Sequence, residues 1–276
     1  MTISPVSVNE VDYISGKTRL FGIVGHPIEQ VRSPEMFTAS FKSRGADAIL
    51  VPFHVLPDDF ERVVSSLMLM PNLDGLIFTI PYKQRAMALA SRIGPHAQLV
   101  GAVNALARQK NGDWTAEIFD GLGCVEGFRR RGLSFAGKRV MLIGAGGAGS
   151  AIAVAIAHEK PAHIRLYDLD AERAVQLIQK IKQVDASIDA QFAEPSVTQM
   201  DFVLNASPVG MLADARSPID LKGIDPSVIV FDAIVKPEQT PFLAQAHQAG
   251  CQIVRGREMM LGQIARMTDF FGIPAL

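Results

Sequence analysis

Short apolar runs alternate with segments of helical periodicity along nearly the whole chain. The runs RLFGIVG, AILVPFHV and GLIFTI are rich in β-branched and aromatic residues and predict buried strands. Between them, SPEMFTASFKSRG and PDDFERVVSSLMLM predict helices, the first with Ser33 as its cap and Pro34 at its first position. This alternation is typical of α/β proteins with parallel strands.

The pattern changes after GLIFTI and restarts after Asp120. AVNALARQKNGDWTAEIF predicts two strands around an Asn111-Gly112 turn. GLGCVEGFRRRG then predicts a connecting helix, and HIRLYD, FVLNAS and VIVFDA predict further buried strands. The last helical segment, REMMLGQIARMTDFFG, is expected to end at Gly272. We therefore expect two α/β domains with a ligand-binding cleft between them.

Composition narrows the possible partners. The chain has 276 residues, 48% of them hydrophobic, and a net charge of −1, so it can bury a sizeable core but does not attract nucleic acid or anionic membranes. Cys124 and Cys251 lie far apart and the six histidines lack ligand spacing, so no metal is expected. The polar N-terminus and the shortness of SAIAVAIA predict a cytoplasmic protein with no membrane partner. We expect a monomer or a homodimer that binds a small-molecule substrate.

A glycine-rich segment, VMLIGAGGAGSA, follows an apolar strand and opens an alanine-rich helix, which is the context of a Rossmann dinucleotide-binding fingerprint. Gly144 would allow the tight turn, Gly146 would let the backbone approach a pyrophosphate, and Gly149 would let helix and strand pack closely. The other interpretation is an ordinary strand–helix turn. The loop residues proposed to bind the cofactor are Gly144, Ala145, Gly146, Gly147, Ala148 and Gly149.

An acidic residue ends the next predicted strand. Asp168 stands about 20 residues after the glycines, where an acid binds the adenosine ribose and disfavours the 2′-phosphate of NADP. Leu169 offers no compensating guanidinium, so we expect NAD rather than NADP. Asp168 could also cap the following helix, although Asp170 suits that role better. Arg173 could reach a 2′-phosphate, or pair with nearby acids.

A lysine stands where a strand meets a proline, in GLIFTIPYKQ. Pro81 should end the strand, and the next helix should begin near Tyr82, with Lys83 on its first turn. Oxidation of an alcohol by NAD requires that a proton leave the hydroxyl oxygen. An amine facing the cleft could accept that proton, and Asp120 is the best candidate for a carboxylate that orients it.

Eight ordered blocks, from GxPIxxxxSP through TxPxK, GAVN, DG, GAGGAG, NASPVGM and KPxxTP to MMLGQ, resemble the shikimate/quinate dehydrogenase family over residues 21–272. The resemblance implies an enzyme that oxidises a ring hydroxyl of a cyclic polyol acid, with Lys83 and Asp120 as catalytic residues. It implies a substrate-binding and catalytic domain of residues 1–121 plus 252–276 and a Rossmann domain of residues 122–251. It assigns substrate contacts to Ser33, Thr79, Asn104 and Gln263, and nicotinamide contacts to the loop from Asn205 through Ser207 to Met211.

Other roles stay open for these residues. Asn104 could satisfy strand-end backbone groups, Gln263 could be an exposed helix residue, and residues 205–208 could form an ordinary turn. The methylene-tetrahydrofolate dehydrogenases also use a lysine, but GAVN and MMLGQ fit the first family better.

The chain departs from the family pattern at five positions that are commonly polar in its relatives. At two of these positions, occupied here by Val31 and Val235, the relatives carry side chains that contact the substrate carboxylate. The other three positions are Ile77, Ile118 and Phe119. A hydrogen bond to a charged group contributes about 1.5–3 kcal/mol, so shikimate is expected to bind weakly. The same chemistry on a less polar cyclic hydroxy acid is the alternative, and a catalytically idle nucleotide-binding sensor is a third.

Overall fold

The computed structural model describes residues 14–275 and contains two six-stranded sheets. The strands of the first sheet are β1 (Arg19–Gly25), β2 (Ala48–His54), β3 (Leu73–Phe78), β4 (Arg92–Ile93), β5 (Ala105–Arg108) and β6 (Trp114–Glu117). Their order is β2-β1-β3-β5-β6-β4, and β2, β1 and β3 are parallel. The helices along this part of the chain are α1 (Ser33–Ser43), α2 (Phe60–Leu67) and α3 (Pro95–Val100), with short 3₁₀ helices at Pro57–Asp59 and Arg85–Leu89.

The strands of the second sheet are β7 (Arg139–Ile143), β8 (His163–Tyr167), β9 (Asp189–Phe192), β10 (Phe202–Asn205), β11 (Ile229–Asp232) and β12 (Gln252–Val254). They run parallel in the order β12-β11-β10-β7-β8-β9, a doubly wound arrangement that places all their carboxyl ends at one edge. Helix α4 (Asp120–Arg129) leads into this half, which contains α5 (Gly147–His158), α6 (Ala171–Val184) and α7 (Pro241–Gln248); α8 (Gly256–Phe270) follows β12.

The predicted α/β class and the hairpin are confirmed, but several local predictions are wrong. The hairpin β5–β6 enters antiparallel beside β3, so the first sheet is mixed rather than parallel. Lys83 lies in a turn before a 3₁₀ helix rather than on the first turn of an α-helix. Arg32, rather than Ser33, occupies the N-cap position of α1, and Ser33 is the first helical residue.

The C-terminal helix returns to the first sheet. Met260, Ile264 and Met267 of α8 share a buried cluster with Phe21 and Phe37 of that sheet and its helix.

Helix α8 also crosses α4 closely. A Cβ atom at Gly262 would lie 2.2 Å from the carbonyl oxygen of Gly123, so the contact requires glycine. This crossing fixes where α8 lies relative to α4, and hence where the side chains of α8 meet the strand ends.

Across residues 14–275, none of the helices has the length and apolar character needed to cross a bilayer. Over the same residues, His, Cys, Asp and Glu side chains form no group of three or more that could hold a metal ion.

Candidate active site

A cavity of about 530 Å³ lies between the two sheets. Its walls come from the start of α1, the segment after β3, the glycine loop after β7, the loops after β10 and β11, and one face of α8. The carboxyl ends of parallel strands from both sheets therefore open into one space, which is where α/β proteins bind ligands.

Lys83 and Asp120 form an ion pair in this cavity. The Lys83 Nζ donates to Asp120 Oδ2 at 2.5 Å, and the two side chains are 17% and 4% exposed. The Val103 backbone N–H donates to the Lys83 carbonyl oxygen at 2.8 Å and so fixes the turn that carries the lysine. An amine oriented by a carboxylate in a largely buried pocket is suited to exchange a proton with a bound hydroxyl.

Asn104 connects the end of the first sheet with the C-terminal helix. Its Nδ2 donates to Gln263 Oε1 at 3.2 Å, and its Oδ1 accepts from the Phe119 backbone N–H at 2.9 Å. Asn104 therefore does satisfy a backbone group, and it also lines the cavity. Gln263 is half-buried and lines the cavity too, so the interpretation of an exposed helix residue is wrong.

Ser33 and Thr79 line the same cavity. Helix α1 has no side-chain cap hydrogen bond, so the Ser33 hydroxyl is not engaged in capping. Thr79 is held by its backbone, which donates to the Val24 carbonyl at 3.0 Å and accepts from the Tyr82 N–H at 2.9 Å. Lys83, Asp120, Ser33, Thr79, Asn104 and Gln263 therefore come together around one space.

Three of the five apolar departures lie at this space. Val31, Ile77 and Val235 line the cavity. Ile118 is buried in a core cluster, and the Phe119 ring packs on Phe270 with ring centroids 5.3 Å apart; neither lines the cavity. Only the first three can therefore change substrate contacts directly.

The glycine loop has the shape of a phosphate cradle. Gly144 has a φ of +102°, and a Cβ atom at Gly149 would lie 1.9 Å from the Gly144 carbonyl oxygen, so both positions need glycine. A Cβ at Gly146 would meet no atom within 4 Å, which leaves the start of α5 open. The open backbone N–H groups and the helix N-terminus fit a dinucleotide pyrophosphate.

The glycine loop also lies close to Lys83. Gly146, Gly147 and Ala148 line the cavity, and a Cβ atom at Gly147 would lie 3.5 Å from the Cβ and Cδ of Lys83. A dinucleotide bound on this loop would therefore lie beside the ion pair.

Asp168 holds the glycine loop, a role that the sequence did not reveal. Its Oδ2 accepts from the Ala145 N–H at 2.6 Å and its Oδ1 from the Asp170 N–H at 2.9 Å. Asp170, as predicted, is the N-cap of α6, accepting from the Arg173 N–H. The Arg173 guanidinium pairs with Asp170 at 3.0 Å and also lines the cavity, while Leu169 is 91% exposed.

The loop after β10 is organised by the buried Asn205. Its Oδ1 accepts from the N–H and the hydroxyl of Ser207, at 3.0 and 2.7 Å, and its Nδ2 donates to Asp232 Oδ1 at 3.1 Å. Ser207 and Met211 line the cavity. Burial raises the pKa of Asp232 to about 6. Sequence reasoning missed Asp232, although its position at the end of VIVFDA placed it at the same sheet edge as Asn205.

The chain is similar to known dehydrogenases along most of its length. Residues 23–106 match the family model described as the shikimate dehydrogenase substrate binding domain. It is 31% identical to a shikimate dehydrogenase (NADP(+)) of Geobacter metallireducens, covering 91% of this chain and 90% of that one. It is 30% identical to the protein of the same name from Methanobrevibacter smithii, covering 94% and 92%.

Solved structures agree with these matches. A shikimate 5-dehydrogenase from Listeria monocytogenes, in complex with shikimate and NAD, is 27% identical with a TM-score of 0.84, over 97% of this chain and 96% of that one. A 5-ketofructose reductase from Gluconobacter is 27% identical with a TM-score of 0.81, over 95% of both chains. The chain thus belongs to the shikimate dehydrogenase family, a family of oxidoreductases that use a nicotinamide dinucleotide.

Proposed function

We propose that this protein interconverts a ring hydroxyl and a ketone of a shikimate- or quinate-type polyol acid, with NAD as its cofactor. The observation that carries the proposal is the Lys83–Asp120 pair in the same cavity as the glycine loop. A lysine needed only for solubility would not be placed in a pocket, 17% exposed and held by a buried carboxylate.

Each group of residues has a separate task in this proposal. In the oxidation direction Lys83 accepts the proton of the reacting hydroxyl, and Asp120 holds the amine toward it. Ser33, Thr79, Asn104 and Gln263 supply hydrogen bonds that orient the ring. The glycine loop binds the pyrophosphate, and the loop from Asn205 to Met211 orients the nicotinamide. When bound, the dinucleotide accepts or returns the hydride.

The preference for NAD over NADP rests on the end of β8. Asp168 carries negative charge to the position where a ribose 2′-phosphate would lie, and Leu169 adds no cation. Arg173 is already paired with Asp170. Curated relatives of this chain are named as NADP(+) enzymes, whereas the Listeria structure contains NAD, so both cofactors occur among relatives of this fold.

A second candidate is the same chemistry on a less polar cyclic hydroxy acid. Val31, Ile77 and Val235 give the cavity an apolar wall where hydrogen-bonding groups would suit a carboxylate. The relative named as a 5-ketofructose reductase supports a substrate other than shikimate on this fold.

We also propose domain limits of residues 1–121 plus 252–276 and residues 122–251. The separate hydrogen bonding of the two sheets and the packing of α8 against the first sheet support a division into two domains. Strand β12 (Gln252–Val254), which these limits assign to the first domain, pairs with β11 of the second sheet.

A screen of dinucleotide reduction tests the proposal. Shikimate, quinate and less polar cyclic hydroxy acids are each offered with NAD and with NADP, and absorbance at the reduced nicotinamide band is followed. We expect turnover with NAD and at least one of these acids, and none in Lys83→Met. Binding of NAD without turnover on any of them would favour the idle sensor.

A further inference from the structure

Two loops that line the cavity start from neighbouring strand ends. The β10 loop (residues 206–211) follows Asn205, and the β11 loop (residues 233–240) follows Asp232; these two residues are paired in the parallel register of β10 and β11. The β10 loop lies against the glycine loop, since a Cβ atom at Gly144 would meet the Ser207 nitrogen at 2.7 Å. The β11 loop contributes Val235 to the wall where the ring acid would bind.

One carboxylate connects both loops. Asp232 Oδ1 accepts from Asn205 Nδ2 at 3.1 Å and from the Ile234 N–H at 3.0 Å, and Oδ2 accepts from the Thr240 hydroxyl at 2.6 Å. Because Asn205 in turn accepts from the N–H and hydroxyl of Ser207, the hydrogen bonds run without a break from one loop to the other.

This arrangement is costly for the fold alone. Asp232, Asn205 and Thr240 are all 0% exposed, and among residues 14–275 no cation forms an ion pair with Asp232. Burial of an ionised carboxylate without a cation is unfavourable, and burial accordingly raises the pKa of Asp232. Three donors converge on it, however, and a carboxylate, which only accepts hydrogen bonds, satisfies all three. A group retained at such a cost points to a role beyond packing.

We infer that Asp232 is a positioning residue that sets the β10 loop and the β11 loop at a fixed distance, and thereby aligns the nicotinamide with the substrate ring. The inference rests on the proposed function, because it assumes that the nicotinamide lies against the β10 loop and the substrate against the β11 loop. The residue itself lies under both loops and lines neither site.

The test compares Asp232→Asn with the wild type for binding of NAD and of ADP-ribose by calorimetry. ADP-ribose occupies the glycine loop but lacks the nicotinamide, so the positioning role predicts a selective loss. We expect NAD to bind about tenfold more weakly, the usual effect of losing a hydrogen bond to a charged group, and ADP-ribose to change less than about twofold. The matched control is Asp225→Asn, whose exposed carboxylate accepts hydrogen bonds from nearby Ser227, and it should change neither value.

Equal losses for NAD and ADP-ribose, or no loss, would show that Asp232 acts only on the fold and would overturn the inference. The affinities for NAD and for ADP-ribose are measured without turnover. A failed substrate screen therefore does not decide the positioning role of Asp232, and a failed binding test does not decide the proposed function.

If circular dichroism shows that Asp232→Asn does not fold, Thr240→Val takes its place, with Thr240→Ser as the conservative variant. The valine should show a smaller but still selective loss for NAD, which serine restores. No selective loss in the valine variant would equally contradict the inference.

Discussion

Asp168 accepts a hydrogen bond at Oδ2 from the backbone N–H of Ala145, at 2.6 Å. The residue expected to discriminate between cofactors therefore also fixes the shape of the glycine loop. In the proposed function this one side chain influences both cofactor affinity and cofactor preference, so a substitution there should change both.

The wild type should prefer NAD over NADP in kcat/KM by at least roughly tenfold, about 1.4 kcal/mol, if Asp168 binds the ribose hydroxyls and repels a 2′-phosphate as proposed. Asp168→Ser should reduce this preference and should also weaken NAD binding, since serine cannot accept from the glycine loop as the carboxylate does. Steady-state kinetics with both cofactors measure the two effects.

Arg173→Gln serves as the control for the opposite explanation. It should leave kcat/KM with NAD unchanged within about twofold, because the Arg173 guanidinium pairs with Asp170 on the exposed start of α6. A wild-type kcat/KM that is higher with NADP, and that falls in Arg173→Gln, would contradict the proposed preference.

The apolar wall predicts weak use of shikimate. Val31→Ser should lower the KM for shikimate with little change in kcat, because a hydroxyl at this wall adds ground-state binding to a carboxylate. Val175→Ser, on the exposed face of α6, is the matched control and should change neither constant. Saturation of the wild type at micromolar shikimate, with no effect of Val31→Ser, would show that the wall does not limit binding.

Sequence patterns predicted the parts of the molecule whose signals are local. The strands of the second sheet around the glycine loop, the Asn111-Gly112 hairpin and the cap at Asp170 each depend on residues close together in the chain. The strands β4, β9 and β12 were not predicted, because β4 and β12 have only two and three residues and β9 (Asp189–Phe192) lacks the apolar run that identified β10 and β11.

In the candidate site, too, sequence motifs predicted some features, and others depend on tertiary packing. Motif order placed Lys83, Asp120 and Asn104 near one another, but it could not show that Ile118 and Phe119 lie outside the cavity while Val31 and Val235 line it. Which of these side chains line the cavity depends on the tertiary packing of α8 and of the loop after β11. Asp168 was predicted as the ribose-binding acid, but its hydrogen bond to the glycine loop was not, because the partner Ala145 is 23 residues away. Asp232 was not singled out at all, and its partner Asn205 is 27 residues away.

The buried Asp232 predicts a pH-dependent cost to stability. Its pKa rises from the ordinary 3.8 to about 6 on folding, so between these values the folded state holds a proton that the unfolded state has lost. This contribution to the free energy of unfolding therefore falls as pH rises through that window, and the full cost, about 3 kcal/mol, is present above pH 6.

Urea unfolding of the wild type and Asp232→Asn between pH 4.5 and pH 7.5 measures this cost. The free energy of unfolding of the variant minus that of the wild type should increase by about 2 kcal/mol across the range, whatever its constant offset. A difference that stays constant with pH would mean that Asp232 is already ionised in the folded protein at pH 4.5, so that burial does not raise its pKa.

The central claim is that Lys83 moves the proton of the reacting hydroxyl with the help of Asp120. The double-mutant cycle supports or weakens the claim that the two act as one unit: Asp120→Asn should lower kcat as Lys83→Met does, and the double variant should lose less than the product of the two. Additive losses would show that the 2.5 Å ion pair does not couple their roles.

The most direct measurement is kcat of Lys83→Met with the substrate found by the screen, alongside its affinity for NAD. We predict that kcat falls by about 10²–10⁴, the usual effect of removing a positioned acid–base group, while NAD binding is unchanged. Lys222→Met, an exposed lysine outside the cavity, is the control and should keep full activity. A Lys83→Met enzyme that retains more than about a tenth of the wild-type kcat would contradict the claim.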